Sequence, residues 1–239
     1  MKFNYMLTKI KEAGIIAVLV IEDIKHAVPI VDCLLNNGIT AMELALRTPI
    51  AFDAIALIKS RYPQMLAGVG TILTPDQVGK CVSIGADFGV SPGLNPSVVQ
   101  CAQQLGLPFA PGIATPSDIE RGLELNCNVF KLFPAEPSGG IKYLESIAAP
   151  YKHMNLKYIP LGGITFENMQ QYFDTGLVPA VGGSWIAPQK LIRDENWAQI
   201  SANAKQASDL IKKLKTQKKK IITIDKTRFQ DKPNLQVSY

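Results

Sequence analysis

The 239-residue chain has few of the residues that serve metal, redox or disulfide chemistry. It contains four cysteines and two histidines. The cysteines stand singly, without a CxxC or CxxxC pair, and this is typical of small reduced thiols in a cytoplasmic protein rather than of a disulfide framework. No HxH or HExxH motif occurs, so the usual zinc sites are excluded and we expect no metal. We interpret both His26 and His153 as surface residues.

Long hydrophobic runs are also lacking. The apolar run over residues 14–21 is too short to span a bilayer, and Glu22 and Asp23 follow it without a cleavage site. We therefore predict a first strand there and no membrane segment. The formal net charge of +5 comes from the C-terminal end, where residues 212–232 hold nine Lys or Arg and two Asp. The rest of the chain is slightly acidic, which argues against a nucleic-acid-binding surface.

What the sequence does contain is a regular alternation of short apolar runs and stretches of helical period. The predicted strands are residues 15–20, 40–46, 66–70, 86–90, 107–110, 127–132, 157–161 and 178–182. The predicted helices lie near residues 25–37, 49–61, 75–84, 95–105, 116–125, 139–148, 165–175 and 194–215. Eight β-α units predict an α/β fold, either a (β/α)8 TIM barrel or an open doubly wound sheet. We favour the barrel, because no GxGxxG follows the first strand and glycine pairs follow the seventh and eighth.

Local signals mark several helix boundaries and the end of the predicted domain. A capping residue precedes a proline at four predicted helix starts, which are Thr48-Pro49, Thr74-Pro75, Asn95-Pro96 and Thr115-Pro116. We expect residues 1–215 to form the barrel domain and residues 216–239 to form a basic tail, solvated or disordered. Within the tail, the apolar patch Ile221–Ile224 is a candidate extra strand or docking segment.

Lys131 is the residue that most needs an explanation. It lies in Val129-Phe130-Lys131-Leu132-Phe133, which otherwise has the composition of a fully buried strand, where an unpaired ammonium is costly. An amine kept out of water holds its proton less tightly and can attack a ketone to form a Schiff base. The structural alternative is a lysine that reaches solvent from the strand end or forms an ion pair.

The predicted second strand supplies a partner for Lys131. Successive side chains of a strand point to opposite faces. One face of this strand holds small and charged residues, which are Ala41, Glu43, Ala45 and Arg47. The other face holds large apolar residues, which are Met42, Leu44 and Leu46. If the large side chains face the helices, Glu43 faces the barrel interior, where it can meet Lys131. A purely structural ion pair between Glu43 and Lys131 is the alternative.

Four strand ends carry candidate ligand contacts. Gly68-Val69-Gly70-Thr71 ends the third strand on a hydroxyl, and Ser91-Pro92-Gly93 follows the fourth; each alone is equally consistent with a simple turn. Gly162-Gly163 follows the seventh strand and Gly182-Gly183-Ser184 the eighth. Such glycines let backbone N–H groups approach an anion, and Ser184 adds a hydroxyl donor. Their combined placement indicates a phosphate site.

With these residues identified, the sequence resembles the family of 2-keto-3-deoxy-6-phosphogluconate aldolases and 4-hydroxy-2-oxoglutarate aldolases over residues 5–212. The most specific segments are Gly38–Arg47 and Phe130–Glu136. The resemblance implies a (β/α)8 barrel, a homotrimer, no metal and no cofactor. It also implies a class I aldolase that cleaves 2-keto-3-deoxy-6-phosphogluconate to pyruvate and glyceraldehyde 3-phosphate, and 4-hydroxy-2-oxoglutarate to pyruvate and glyoxylate. Its partners would be these small-molecule keto acids and sugar-acid phosphates, with no nucleic acid and no membrane.

The resemblance also assigns the site residues. Lys131 would form the Schiff base with pyruvate or the keto substrate, and Glu43 would transfer protons. Seven further positions would complete the site. Arg47 and Thr71 would bind the pyruvyl carboxylate, and Pro92 and Phe133 would form the pocket wall. The phosphate would be bound by Gly162, Gly163 and Ser184.

The chain departs from the family pattern at three positions. Ala45 stands where a threonine is usual and Asn126 where a glycine is usual, and neither touches the expected chemistry. Leu161 replaces a threonine that contacts a substrate hydroxyl in the phosphogluconate-type enzymes. Losing such a polar contact can change discrimination between hydroxyl epimers by orders of magnitude. Leu161 is therefore a predicted specificity position, and an aldolase with a different C4 stereopreference is an alternative.

Two other functions are also consistent with parts of the sequence. A phosphate-binding barrel could isomerise or epimerise its substrate without a covalent intermediate, using the same glycine pairs. A non-catalytic metabolite-binding barrel could use the basic tail to engage an acidic partner or a membrane surface. Neither alternative explains a lysine buried opposite a glutamate.

Overall fold

The computed structural model describes residues 2–230, with side chains for residues 3–217. Its strands are Ile15–Leu19 (β1), Ala41–Ala45 (β2), Leu66–Gly70 (β3), Gly89–Val90 (β4), Phe109–Ala110 (β5), Gly112–Ile113 (β6), Val129–Leu132 (β7), Lys157–Pro160 (β8) and Val181–Gly183 (β9). Its α-helices are Lys2–Ala13 (α1), Ala27–Asn36 (α2), Ala51–Arg61 (α3), Pro75–Ser83 (α4), Pro96–Gln104 (α5), Pro116–Glu124 (α6), Gly140–Ala148 (α7), Met169–Asp174 (α8), Gln189–Arg193 (α9) and Trp197–Gln230 (α10). Short 3₁₀ helices cover Ile24–His26 and Ala149–Met154.

The strands follow one another around a ring of parallel strands, in chain order. Hydrogen-bonded neighbours run β5-β4-β3-β2-β1-β9 in one sheet and β6-β7-β8 in the other. The two sheets meet where only Pro111 separates β5 from β6, and again where the Tyr158 N–H of β8 donates to the Leu177 carbonyl oxygen (3.2 Å) shortly before β9. With β5 and β6 counted as one stave, the ring has eight staves and the helices lie outside it. The predicted (β/α)8 barrel is confirmed.

The fifth stave differs from the single predicted strand 107–110. Its first half pairs with β4, with Phe109 opposite Gly89, and its second half pairs with β7, with Gly112 opposite Lys131. The halves are divided by Pro111, which has no N–H to donate. Position 112 requires a glycine at this change of partner. A Cβ there would lie only 2.1 Å from the carbonyl oxygen of Pro92, which approaches the chain closely at this point.

Two apolar cores lie on the two sides of the barrel wall. The larger one fills the space between strands and helices and includes Met42 and Leu44 of β2. The smaller one fills the barrel interior and includes Ala41, from the opposite face of β2. The period-two interpretation of this strand is therefore confirmed. Apolar side chains of α1 close the N-terminal end of the interior around a cavity of about 40 Å³, and these are Phe3, Met6, Leu7 and Ile10.

Three of the four predicted helix starts are confirmed. The hydroxyls of Thr74 and Thr115 each accept a backbone N–H in a capping box, and the Asn95 side chain caps α5. The prediction at Thr48-Pro49 is wrong, since α3 begins at Ala51. The Thr48 hydroxyl instead donates to the Ile21 carbonyl oxygen (2.7 Å), which ties the ends of the first two staves together.

The histidine and cysteine predictions have different outcomes. His153 is exposed as predicted, but His26 is only 6% exposed, and the prediction of a surface residue is wrong there. The His26 Nε2 lies 3.2 Å from Glu195 Oε1, and its ring meets Trp197 edge-on. All four cysteines carry free thiols. Burial raises the pKa of the Cys81 thiol to about 12, so this thiol is unreactive near neutral pH.

The last helix is longer than predicted. α10 packs on the barrel through side chains spaced three and four residues apart, namely Ile200, Ala204, Ala207, Ile211 and Leu214. Its backbone continues to Gln230, so the expectation of a strand at Ile221–Ile224 is wrong. The rest of the predicted tail, residues 231–239, lies outside the described residues. Within the described part of the chain, no helix combines the length and apolarity that crossing a bilayer requires.

Candidate active site

One ion pair lies inside the barrel. The Lys131 Nζ is 3.1 Å from the Glu43 Oε1, across the ring from β7 to β2. Lys131 is 6% exposed and Glu43 is 2% exposed. The other residues that line the cavity beside them are apolar, apart from Gly89. The pair is therefore held in a low-dielectric environment, where a charge interaction is stronger than in water.

The neighbouring strand β3 makes room for Glu43. Glu43 lies in register with Gly68 on β3 and Val18 on β1. A Cβ on Gly70 would lie 1.8 Å from the Glu43 Oε1, so no other residue fits at position 70 without moving the carboxylate. Sequence reasoning missed this role of Gly70. The signal was the spacing of two between Gly68 and Gly70, which places both glycines on the interior face of one strand.

Lys131 is fixed by its own strand and by an aromatic ring. Its backbone N–H donates to the Pro111 carbonyl oxygen (2.9 Å), which holds β7 against the fifth stave. Two residues further on, Phe133 shares the interior face, and its ring centroid lies 5.3 Å from the Lys131 Nζ. The amine therefore has the Phe133 ring and the Glu43 carboxylate as neighbours.

Three other predicted site residues follow strands β2 to β4 at the C-terminal end of the barrel. Arg47 is exposed two residues beyond β2, and its N–H donates to the Ala45 carbonyl oxygen (2.7 Å). Thr71 follows β3 directly and has a φ of +61°, an unusual conformation for a β-branched residue. Pro92 follows β4 and rests its carbonyl oxygen on Gly112 of the next stave. These residues therefore line the end of the barrel where active sites of this fold lie.

The two glycine pairs lie at the same end of the barrel. The first follows Leu161 in the loop after β8, whereas Gly182 and Gly183 lie within β9, so the prediction that the second pair follows its strand is wrong. Gly162 and Gly163 have φ values of +92° and +80°. In the described part of the chain, neither N–H group donates to another protein group. Asn168 closes this loop by accepting from the Thr165 N–H (2.8 Å) and donating to the Gly163 carbonyl oxygen (3.0 Å). Ser184 is exposed just after β9. Backbone donors and a hydroxyl are thus available to an anion here.

Leu161 faces the barrel interior directly before the first glycine pair, and it lines the same cavity as Lys131 and Glu43. It is 4% exposed and belongs to the interior core. A Cβ on Gly182 would lie 2.4 Å from the Leu161 Cγ, so the leucine occupies the space that Gly182 leaves open. The wall of the site is therefore apolar at this point.

The described residues contain no group of three or more His, Cys, Asp or Glu that could hold a metal ion. Residues 6–203 match the family model described as KDPG and KHG aldolase. The chain belongs to the KDPG and KHG aldolase family. A 2-dehydro-3-deoxy-phosphogluconate aldolase from Haemophilus influenzae is 37% identical over 207 residues, which cover 87% of this chain and 97% of the relative.

Solved structures of KDPG aldolases share the fold. One from Legionella pneumophila, with pyruvate captured at low pH as a covalent carbinolamine intermediate, is 36% identical and superposes with a TM-score of 0.77, covering 80% of this chain and 92% of that one. One from Zymomonas mobilis with 3-phosphoglycerate is 35% identical, with a TM-score of 0.79 and coverage of 84% and 94%. The resemblance found in the sequence is thereby confirmed as family membership.

Proposed function

We propose that the chain is a class I aldolase that cleaves 2-keto-3-deoxy-6-phosphogluconate to pyruvate and glyceraldehyde 3-phosphate, and also 4-hydroxy-2-oxoglutarate to pyruvate and glyoxylate. The observation that carries the proposal is the buried pair of Lys131 Nζ and Glu43 Oε1, 3.1 Å apart. An amine beside a carboxylate provides the nucleophile and the proton carrier that the reaction needs. The Legionella pneumophila relative, with pyruvate captured as a carbinolamine, supports the same chemistry.

Lys131 would start the reaction. Once the Lys131 ammonium has lost a proton to solvent, the neutral amine attacks C2 of the keto acid. The carbinolamine takes up one proton from solvent and loses water, which gives an iminium. Glu43 accepts the proton of the C4 hydroxyl while the C3–C4 bond breaks, so the aldehyde leaves and the bonding electrons form an enamine. Glu43 returns the proton to C3. Water then hydrolyses the iminium, which releases pyruvate and regenerates Lys131.

Four residues would hold the pyruvyl end. Arg47 and Thr71, at the ends of β2 and β3, would donate to the carboxylate, as a guanidinium and a hydroxyl suit this anion. Pro92 and Phe133 would form the walls that keep the three-carbon unit against Lys131. The positive φ of Thr71 ends strand β3 and would present the threonine hydroxyl to the substrate.

The other end of the substrate would lie on the first glycine pair and on Ser184. The N–H groups of Gly162 and Gly163 and the hydroxyl of Ser184 are suited to bind the phosphate. The bound 3-phosphoglycerate in the Zymomonas mobilis relative supports a phosphorylated ligand. Leu161 would face the carbon carrying the hydroxyl, and because a leucine donates no hydrogen bond, discrimination between the C4 epimers would be weak.

The enzyme would need no cofactor, because the iminium itself is the electron sink. It would act in the cytoplasm, in keeping with four free thiols. A homotrimer is implied by the resemblance, and the exposed apolar side chains of Tyr5, Val82 and Leu105, which share one groove, support a subunit contact.

A pyruvate-release assay tests this function. The panel holds 2-keto-3-deoxy-6-phosphogluconate, its C4 epimer, both unphosphorylated forms, and 4-hydroxy-2-oxoglutarate. We expect release from the phosphorylated pair and from 4-hydroxy-2-oxoglutarate, no release with Lys131→Met, and unchanged release with Lys142→Met, which alters an exposed lysine. Conversion of a phosphorylated substrate without any pyruvate would instead favour an isomerase or epimerase.

A further inference from the structure

The segment Phe130–Glu136 carries one charged side chain that the proposed chemistry does not use. Glu136 follows β7, where its backbone N–H donates to the Gly162 carbonyl oxygen (3.0 Å). Its carboxylate accepts a hydrogen bond from the hydroxyl of Tyr172 in α8. Glu136 thus connects the loop after Lys131 both to the first glycine pair and to the helix that follows this pair.

The stem of Glu136 packs directly on Gly163. A Cβ on Gly163 would lie 2.6 Å from the Glu136 Cβ and 3.0 Å from its Cγ. The adjacent Ala135 N–H donates to the Leu161 carbonyl oxygen (2.7 Å), so the two loops are joined at consecutive residues. The side chain of Glu136 therefore begins beside the loop whose N–H groups would bind the phosphate, so its carboxylate can reach either side of this loop only by turning about its own stem.

The direction of this carboxylate matters, since two anions at short range repel each other. Both Glu136 oxygens lie 3.3 Å from the position of a Cβ on Gly140, at the start of α7. Tyr172 is fully buried. Burial, together with the hydrogen bond to Glu136 and the charge of Glu136, raises the pKa of the Tyr172 phenol well above its ordinary value. The phenol therefore stays a hydrogen-bond donor at neutral pH.

We propose that Tyr172 is a positioning residue for phosphate binding, whose hydroxyl holds the Glu136 carboxylate turned away from the N–H groups of Gly162 and Gly163. Without this hydrogen bond the carboxylate is free to turn toward the loop and to repel the phosphate. The inference rests on the proposed function, since it assumes that the glycine loop binds the phosphate of the keto-acid substrate.

The test compares a phosphorylated with an unphosphorylated substrate. In Tyr172→Phe we expect the KM for 2-keto-3-deoxy-6-phosphogluconate to rise about fivefold, the size of effect that one unit charge has on a nearby anion in water. The kcat should stay within about twofold, and the KM for 4-hydroxy-2-oxoglutarate should also stay within about twofold, because this substrate has no phosphate.

A second substitution separates charge from packing. Adding Glu136→Gln to Tyr172→Phe removes the charge but keeps the shape, and should return the KM for the phosphorylated substrate to within about twofold of the wild type. Tyr151→Phe is the matched control, because it removes another tyrosine-glutamate hydrogen bond, from Tyr151 to Glu120 (3.0 Å), away from the site. It should change neither KM.

Several results would overturn the inference: an unchanged KM in Tyr172→Phe, an equal rise for both substrates, or no recovery in the double variant. If Tyr172→Phe does not fold, Glu136→Gln alone decides. Its amide oxygen still accepts from Tyr172, so the KM for the phosphorylated substrate should not rise, and a fivefold increase refutes the inference. A wild-type protein that releases no pyruvate from any substrate refutes the proposed function instead.

Discussion

At the residue scale, the barrel interior holds a lysine and a glutamate, although both side chains would be better solvated in bulk water. Removing each ion from water costs several kcal/mol, and their mutual attraction compensates only when the geometry is good. Apolar residues of similar volume would stabilise the same position at least as well. The interior pair of Lys131 and Glu43 therefore supports the proposed catalytic role, and the positive φ of Thr71 at the same end of the barrel is in keeping with it.

The proton-transfer role predicts the effect of Glu43→Gln. The amide keeps the shape of the side chain but cannot accept the C4 hydroxyl proton, so we expect turnover to fall by about 10²- to 10⁴-fold. Capture of pyruvate by Lys131 should fall far less. Steady-state kinetics and a trapping assay measure the two effects. Glu145→Gln, on the exposed face of α7, is the control. Unchanged turnover in Glu43→Gln would rule out the proton role.

Removal of the Tyr158 hydroxyl should stabilise the protein. Its hydroxyl is buried and has no hydrogen-bond partner among the described residues, and burial raises the pKa of the phenol to about 12. We expect Tyr158→Phe to raise the free energy of unfolding by about 1 kcal/mol, because an unsatisfied polar group is removed. Tyr143→Phe, which loses a hydrogen bond to the Ala114 carbonyl oxygen (2.7 Å), should destabilise the protein. Equal destabilisation in urea titrations would contradict the prediction.

At the element scale, local sequence signals explain most of the barrel but not all of it. The capping residues at Thr74, Asn95 and Thr115 act within one helical turn, so the sequence alone predicts them. The division of the fifth stave at Pro111 depends on which neighbours each half meets, and this is a tertiary property. The same reason explains Thr48, whose hydroxyl bonds to the end of β1 rather than to a helix.

The cap of α6 predicts a pH-dependent stability. Burial would raise the pKa of Asp118, but hydrogen bonds from the N–H groups of Ala114 and Thr115 and from the Thr115 hydroxyl lower it below its ordinary value of 3.8. A lowered carboxyl pKa stabilises the folded state above the ordinary value, and the effect is lost as the pH falls through the lowered one. We expect Asp118→Asn to destabilise the protein by about 1 kcal/mol at neutral pH.

Unfolding titrations at neutral pH and near pH 3 measure this effect. The difference between Asp118→Asn and the wild type should shrink at the lower pH, where the wild-type carboxyl begins to bind a proton. Asp76→Asn, an exposed first-turn aspartate of α4, is the control and should cost less. A difference that does not change between the two pH values would show that Asp118 does not act through its charge.

At the scale of the whole molecule, ring closure is what brings the site together. Lys131 and Glu43 are 88 positions apart in the chain and lie on opposite sides of the ring. The sequence predicted their meeting because strand alternation and a closed barrel leave one interior face. It did not predict the burial of His26, because this depends on Glu195 and Trp197, near the start of α10. Long-range packing of this kind has no local signal.

The packing of α10 predicts which C-terminal residues the fold and the activity require. The last buried hydrophobic side chain among the described residues is Leu214, and the Lys215 ammonium donates to the Glu12 carbonyl oxygen. We therefore expect a chain ending at Gln217 to keep the fold and to release pyruvate within about twofold of the full-length rate. Loss of function with intact ligand binding would favour the alternative in which the basic tail engages a partner.

Reductive trapping tests whether Lys131 forms an iminium with pyruvate. The protein is incubated with pyruvate and sodium borohydride, then digested and analysed by mass spectrometry. We expect a reduced pyruvyl adduct on the peptide containing Lys131, inactivation in step with its formation, and no adduct in Lys131→Met. An unmodified Lys131, or an adduct spread over exposed lysines such as Lys142, would refute the role of Lys131 as the Schiff-base lysine.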